Sequence, residues 1–145
     1  MDVLIVDNDK EYRSVLGEIL FLYGHEVTLA SSGEEAIDLL RSRQFDVVVS
    51  DINMPGIDGT KLHGLVRTNP LWKDMPFVYI SGYPNLRGSA VIADAGRDFV
   101  LGKMTPIQEL LELLNDLSGK GPMVPLIRKD RMGSASGYAQ NPTTS

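Results

Sequence analysis

The chain has 145 residues, 43% hydrophobic and 23% charged, which is enough length and apolar content for one globular domain with a core. Because it contains no cysteine, a disulfide framework, a thiolate zinc site and a cysteine nucleophile are excluded. The net charge is −5, but four basic residues and one acidic residue follow Gly119, so residues 1–118 carry −8. This acidic body argues against nucleic acid as its direct partner.

Short apolar runs alternate with amphipathic stretches through residues 1–118. In chain order, we predict a strand at 2–6, a helix at 10–23, a strand at 25–29, a helix after Ser32, a strand at 46–50, a helix at 60–68, a strand at 76–80, a helix at 85–95, a strand at 98–101 and a helix after Thr105. Five strands alternating with five helices predict an α/β fold with a parallel sheet covered on both faces.

Three helix starts carry recognisable capping residues. Asp9 is expected to cap the first helix, and Ser32 with Glu35 three residues later forms a capping-box pattern at the second. Thr105 is the expected N-cap of the last helix, with Pro106 at the first helical position.

The helical periodicity ends after Ser118. Residues 119–145 are rich in glycine, proline and polar residues, so we predict a linker or disordered C-terminal tail. No apolar run approaches the roughly 20 residues of a membrane span. The first residues lack the basic region of a signal peptide, and a cytoplasmic location is expected.

Acidic residues stand at the ends of two predicted strands. Asp51 follows the apolar run 47–49, and a turn-rich loop with Pro55 and Gly59 comes next. The first strand likewise ends in Asp7-Asn8-Asp9. Because the carboxyl ends of parallel strands meet at one edge, these oxygens predict a site for a divalent cation. Taken singly, each strand-end Asp would more commonly cap a turn.

Four separated segments resemble the receiver domain of bacterial two-component response regulators, over residues 1–118. They are Val6-Asp7-Asn8-Asp9, the segment from Asp51 to Gly59, Ile80-Ser81-Gly82 and Gly102-Lys103. The resemblance implies a flavodoxin-like, doubly wound, five-stranded sheet with strand order 2-1-3-4-5. It also implies that a phosphoryl group is taken from a sensor histidine kinase or phosphotransfer protein in a Mg²⁺-dependent reaction that switches partner binding.

The family pattern assigns roles to individual residues. It implies Asp51 as phosphoacceptor, Ser81 and Lys103 as contacts to the phosphoryl oxygens, and Mg²⁺ (or Mn²⁺) held by Asp7, Asn8, Asp51 and the backbone carbonyl of Asn53. The chain would then be a phosphoacceptor rather than an enzyme, with at most self-phosphorylation and self-dephosphorylation. The resemblance implies that a downstream protein binds the face made by the fourth helix, fifth strand and fifth helix, and homodimerisation is compatible with it.

Three positions depart from the family pattern. Asn8 replaces a second acid, which lowers the negative charge available to a metal. Met104 replaces the usual proline after Lys103, so the intervening peptide is expected to be trans, with the lysine aimed differently. The family's switch aromatic falls at Val100, and strand alternation is expected to send Phe99 to the opposite face.

Two other functions stay open on these residues. The departures at positions 8, 100 and 104 favour a pseudo-receiver that binds proteins without being phosphorylated. An aspartate-nucleophile phosphatase would need a second acid where Asn53 stands. His25 and His63 lack ligand partners at metal spacing and are expected to be structural or surface residues.

Overall fold

Five strands and four helices alternate through the part of the chain that the computed structural model describes, residues 1–82 and 96–119. The strands are β1 Asp2–Val6, β2 Glu26–Ala30, β3 Val47–Asp51, β4 Phe77–Ser81 and β5 Asp98–Gly102. The helices are α1 Lys10–Leu22, α2 Gly33–Ser42, α3 Gly59–Thr68 and α4 Ile107–Leu117. Each strand lies within one residue of its predicted position. The helix predicted at 85–95 and the tail beyond Gly119 lie outside the described residues.

The strands form one parallel sheet in the order β2-β1-β3-β4-β5, which confirms the predicted topology. The order reverses at β1 and β3, which lie side by side because the first crossover runs to one side and the second to the other. In such sheets ligands bind at the carboxyl ends of the strands flanking this switch point. Asp7, directly after β1, and Asp51, at the end of β3, therefore reach the same edge.

Both faces of the sheet are buried, which explains the continuous apolar runs in the sequence. One core contains Val3, Ile5, Val47, Val49, Val78 and Ile80 with Leu16 and Leu20 of α1 and Leu110, Leu111 and Leu114 of α4. The opposite core contains Leu4, Val6, Val48, Phe77 and Tyr79 with residues of α2 and α3. Phe99 packs against the first core and Val100 against the second, as strand alternation predicts.

The helix starts follow the predicted caps with one exception. The Asp9 carboxylate accepts the N–H groups of Glu11 and Tyr12, and the Ser32 hydroxyl accepts that of Glu35. Glu35 reaches back to the N–H of Ser31 rather than to the cap residue itself, at 2.7 Å.

The predicted N-cap of the last helix is wrong by one residue. Pro106 occupies the cap position and α4 begins at Ile107, with no side-chain cap. The Thr105 hydroxyl instead accepts the N–H of Gly102 at 3.1 Å, because it closes the turn that follows β5. Within residues 1–82 and 96–119, no helix combines the length and apolar character needed to cross a bilayer.

Candidate functional site

Three charged side chains from separate strand ends converge at the carboxyl edge of the sheet. Lys103 Nζ lies 3.0 Å from Asp7 Oδ2 and 3.6 Å from Asp51 Oδ2. These residues follow or end β5, β1 and β3 respectively. We call this cluster of Asp7, Asp51 and Lys103 the acidic pocket. Its existence confirms that the distant segments singled out in the sequence meet in the fold.

Asp7 is almost fully buried, with 2% of its surface exposed. Its Oδ1 accepts the N–H of Asp9 at 2.8 Å, which ties the carboxylate to the start of α1. Its Oδ2 pairs with the Lys103 ammonium but has no hydrogen bond of good geometry to a described residue. Arg13 donates from Nη1 to the Asp7 backbone carbonyl at 2.7 Å and so holds the loop after β1.

Asp51 is the last residue of β3 and is 8% exposed. Burial raises the pKa of its carboxyl, and the neighbouring Asp7 charge raises this pKa further. Lys103 and the backbone N–H groups of Asn53 and Ile52 oppose the shift without cancelling it. The pocket therefore holds more negative charge than one lysine neutralises.

Gly59 sets the path of the chain immediately after Asp51. A Cβ at this position would lie 2.2 Å from the Asp51 carbonyl oxygen and 2.8 Å from Ile52 Cα. The Gly59 N–H donates to the Ile52 carbonyl at 2.8 Å, and Asp58 caps α3 one residue earlier. A glycine is thus required for α3 to start against the backbone of the pocket.

Lys103 enters the pocket from the loop after β5. Its backbone N–H donates to the Ser81 carbonyl at 2.8 Å, and its ammonium lies 4.6 Å from the centroid of the Tyr12 ring. Burial alone would lower the pKa of the ammonium, but Asp7 and Asp51 outweigh burial and raise this pKa. The described residues contain no cis peptide, so the bond before Met104 is trans as expected. Lys103 nevertheless reaches both carboxylates.

The other predicted site residues surround the pocket. Asn8 is exposed in the loop between β1 and α1, and Asn53 is exposed in the loop after β3. Ser81 is buried at the end of β4, where it pairs in register with Gly102, the residue before Lys103. The predicted residues thus lie in the loops or strand ends at one edge of the sheet.

Two residues at the site were not predicted from the sequence. Tyr12 and Arg13 lie in the first turns of α1, facing the pocket and the loop before it. Burial, together with the charges of Asp7 and Asp51, raises the pKa of the Tyr12 hydroxyl to about 12. The Asp9 cap predicts where α1 begins but carries no signal that these two side chains meet the pocket.

The chain matches known proteins over nearly the same residues. A family model described as the response regulator receiver domain matches residues 3–115. The chain is 34% identical over 112 residues to response regulator protein FleR of Pseudomonas aeruginosa, covering 77% of this chain and 23% of FleR. It is 33% identical over 115 residues to response regulator MprA of Mycolicibacterium vanbaalenii, covering 79% of this chain and 49% of MprA. The chain therefore spans half or less of these curated relatives.

Solved structures match the fold over four fifths of the chain. Response regulator protein TrrA of Thermotoga maritima, solved in complex with Mg²⁺–BeF, is 31% identical with a TM-score of 0.68, covering 80% of this chain and 97% of TrrA. A response regulator described as putative from Chloroflexus aurantiacus is 31% identical with a TM-score of 0.75, covering 82% of this chain and 98% of that one.

Proposed function

Because this chain belongs to the response regulator receiver domain family, we propose that it accepts a phosphoryl group on Asp51 and thereby switches its protein partners. The donor is a sensor histidine kinase or a phosphotransfer protein. The observation that carries this proposal is the Lys103 ammonium between two buried carboxylates, 3.0 Å from Asp7 and 3.6 Å from Asp51. Phosphoryl transfer depends mainly on positioning and on neutralising charge, and the pocket supplies a positioned carboxylate and one ammonium for these tasks.

Asp51 is the nucleophile in the proposed reaction. One carboxylate oxygen attacks the phosphorus of a phosphohistidine while the phosphorus–nitrogen bond breaks. The imidazole leaves with the bonding electron pair and takes up a proton, and the phosphoryl group remains as an acyl phosphate. Attack by water later releases inorganic phosphate and restores the carboxylate. The N–H groups of Asn53 and Ile52 favour the ionised, nucleophilic form of Asp51.

The oxygen atoms of the acidic pocket fit a hard divalent cation. Asp7 Oδ2 is buried with no hydrogen bond of good geometry to a described residue, and the Asp51 carboxyl is crowded by Asp7. Asp7, Asp51 and the backbone carbonyl of Asn53 would hold Mg²⁺ (or Mn²⁺), with Asn8 as an uncharged oxygen donor nearby. When bound, the ion offsets negative charge on the transferred phosphoryl group.

Lys103 and Ser81 are proposed to bind phosphoryl oxygens. The hydrogen bond between the Lys103 N–H and the Ser81 carbonyl couples the ends of β5 and β4, so the two residues are positioned together. The ammonium is a compact cation on a flexible stem and can leave Asp7 for a phosphoryl oxygen. The Ser81 hydroxyl would donate to a second oxygen.

Phosphorylation is proposed to change the surface formed by the predicted helix at 85–95, β5 and α4. That surface would bind the downstream protein or a second copy of the chain. Val100 occupies the position of the usual switch aromatic and packs against the core on the α3 side, so other groups would report the change. We propose residues 1–118 as the receiver domain, residues 119–145 as a linker or tail, and the cytoplasm as the site of action.

A pseudo-receiver is the second candidate function. Asn8 lowers the charge offered to a metal, and the Met104 side chain, 92% exposed, does not anchor the loop that carries Lys103. A protein of this kind would bind its partner through the same surface without taking phosphate. Titration with Mg²⁺ separates the candidates, since a pseudo-receiver gives no spectral response at millimolar ion.

Incubation with a small phosphodonor and Mg²⁺, followed by intact-protein mass spectrometry, tests the leading proposal. We expect one phosphate per chain in the wild type and in Asp116→Asn, which removes an exposed carboxylate on α4. We expect none in Asp51→Asn. An unmodified wild type, or an adduct that persists in Asp51→Asn, would contradict phosphorylation at Asp51.

A further inference from the structure

We propose that Tyr12 is a positioning residue whose ring keeps the Lys103 ammonium beside Asp51 when a divalent cation occupies the Asp7 oxygen. The inference rests on the proposed function, since it concerns how the phosphoacceptor pocket keeps its lysine in place. Nothing in the sequence pattern singles out an aromatic residue in the first turn of α1 for this role.

The Lys103 ammonium has three neighbours of different kinds. Asp7 Oδ2 lies at 3.0 Å, Asp51 Oδ2 at 3.6 Å, and the centroid of the Tyr12 ring at 4.6 Å. The ring distance lies within the range in which an aromatic face attracts a cation. The side chain of Lys103 is 23% exposed, so water screens this attraction only in part.

The backbone holds Tyr12 in place independently of Lys103. Its N–H donates to the Asp9 carboxylate at 3.2 Å as part of the N-cap of α1, and the Asp9 N–H donates to Asp7 Oδ1 at 2.8 Å. The ring, the cap and the Asp7 carboxylate therefore form one linked unit. The ring is therefore presented from the start of α1 to a lysine that arrives from a different loop.

A divalent cation in the pocket would change how strongly each of these neighbours attracts the Lys103 ammonium. It would share the oxygens of Asp7 and Asp51 and repel the ammonium, because both are positively charged. The Tyr12 ring does not compete for the metal, since its hydroxyl stays protonated at neutral pH with a pKa of about 12. Of the three neighbours, the ring alone keeps its attraction for Lys103 undiminished.

The residue after Lys103 makes this contact more important. Met104 is 92% exposed, so its side chain does not pack against the body to aim the lysine. The Lys103 N–H donates to the Ser81 carbonyl, which fixes the backbone, so the position of the ammonium depends on its contacts with Asp7, Asp51 and the Tyr12 ring. With a cation on the carboxylate oxygens, the Tyr12 ring would be the remaining constraint at the far end of that side chain.

Two measurements on Tyr12→Leu and Tyr12→Phe test the inference. The first is the NMR shift of the Lys103 Hε protons, with and without saturating Mg²⁺, which reports the nearby ring directly. The second is the rate of phosphorylation by a small phosphodonor. We expect the Tyr12 ring to shift the Lys103 Hε resonances upfield in the wild type, with and without Mg²⁺. Tyr12→Leu should lose this upfield shift under both conditions and should be phosphorylated about 2- to 10-fold more slowly. Tyr12→Phe should retain the shift and most of the rate.

Tyr23→Leu is the matched control, because Tyr23 lies at the other end of α1. It should change neither the Lys103 shift nor the rate. If Tyr12→Leu keeps the wild-type shift with Mg²⁺ bound, or loses the shift and reacts at the wild-type rate, the inference is wrong and the proposed function stands. A wild type that takes no phosphate contradicts the proposed function, while the shift still reports on the ring contact.

Discussion

Two buried carboxylates lie at opposite ends of the sheet, Asp51 at the end of β3 and Asp98 at the start of β5. Asp98, 1% exposed, accepts hydrogen bonds from Arg67 at 2.5 Å and His63 at 2.9 Å. Burial alone would raise the pKa of its carboxyl, but these partners outweigh burial and lower the pKa. At Asp51, burial and the Asp7 charge outweigh Lys103 and the backbone N–H groups, and the pKa is raised.

The two carboxylates differ in how far the protein compensates their charge. In the cluster of His63, Arg67 and Asp98, which we call the α3–β5 cluster, two side chains donate to one carboxylate. In the acidic pocket, one ammonium faces two carboxylates. Removing one partner of a compensated buried pair leaves an unpaired charge and destabilises the fold, whereas a carboxylate left uncompensated within the protein is available to an external ion or reactant.

Helix α3 connects the two regions. It begins at Gly59 against the backbone of Asp51, and its last turn carries Arg67, which also donates to the Met75 carbonyl at 2.7 Å. His63, between them, packs its ring against Phe77 and Tyr79 at centroid distances of 5.1 and 5.4 Å. The α3–β5 cluster therefore anchors the helix whose start shapes the pocket.

The largest expected effect comes from Asp98→Asn. It leaves Arg67 with a largely buried and uncompensated charge, so the free energy of unfolding should fall by about 3 kcal/mol in chemical denaturation. The control is Asp74→Asn, which breaks the exposed ion pair with Arg97 and should cost less than about 1 kcal/mol. Equal losses in the two variants would show that the α3–β5 cluster is not a stabilising element.

Gly59→Ala is expected to have the next largest effect. The added methyl group would overlap the Asp51 carbonyl, so we expect a loss of about 1–3 kcal/mol and slower phosphorylation. Gly64→Ala, in the middle of the same helix with open space around its Cβ, should instead gain about 0.5–1 kcal/mol. Thermal unfolding of both variants measures these changes in stability. A Gly59→Ala protein as stable as wild type would contradict the close approach of residue 59 to the Asp51 carbonyl.

Asp51→Asn is expected to stabilise the metal-free protein, on the order of 1 kcal/mol at neutral pH, by removing one of two crowded charges. Because the pKa of Asp51 is raised in the folded state, its contribution to stability falls as pH rises through that pKa. The gain in Asp51→Asn should therefore disappear below the ordinary pKa of 3.8, where wild-type Asp51 is protonated. Unfolding curves between pH 3 and 7 measure this, and a gain that persists at the acid end would contradict it.

The pH dependence of Asp98 should have the opposite sign. Its pKa is lowered, so its stabilising effect is present above the ordinary value of 3.8 and is lost as pH falls through the lowered pKa. The penalty of Asp98→Asn should shrink in acid. A penalty that grows in acid would show that the ion pair does not account for it.

The sequence predicted most of the fold because its signals are local. Three consecutive valines at 47–49 locate β3, and strand alternation correctly separates Phe99 from Val100. The N-cap predicted at Thr105 was wrong because its hydroxyl can accept a hydrogen bond either from the helix or from the turn before it. In the fold it accepts the N–H of Gly102 in that turn.

The acidic pocket was predicted from strand-end residues, but its neighbours were not. Tyr12 meets Lys103 only when α1 and the loop after β5 come together, and no spacing rule connects them. The partnership of His63 with Asp98 likewise joins a helix to a strand far along the chain. Such contacts depend on how the layers pack, whereas the pocket follows from the topology of a parallel sheet.

Equilibrium unfolding of wild type, Asp98→Asn and Asp51→Asn, with and without Mg²⁺, measures whether the acidic pocket binds the ion. A cation that binds only the folded protein raises the free energy of unfolding by linkage. We expect equal increments in the free energy of unfolding in wild type and Asp98→Asn, and a much smaller increment in Asp51→Asn. An increment in Asp51→Asn equal to that of wild type would contradict the claim that the acidic pocket holds its charge for an external ion.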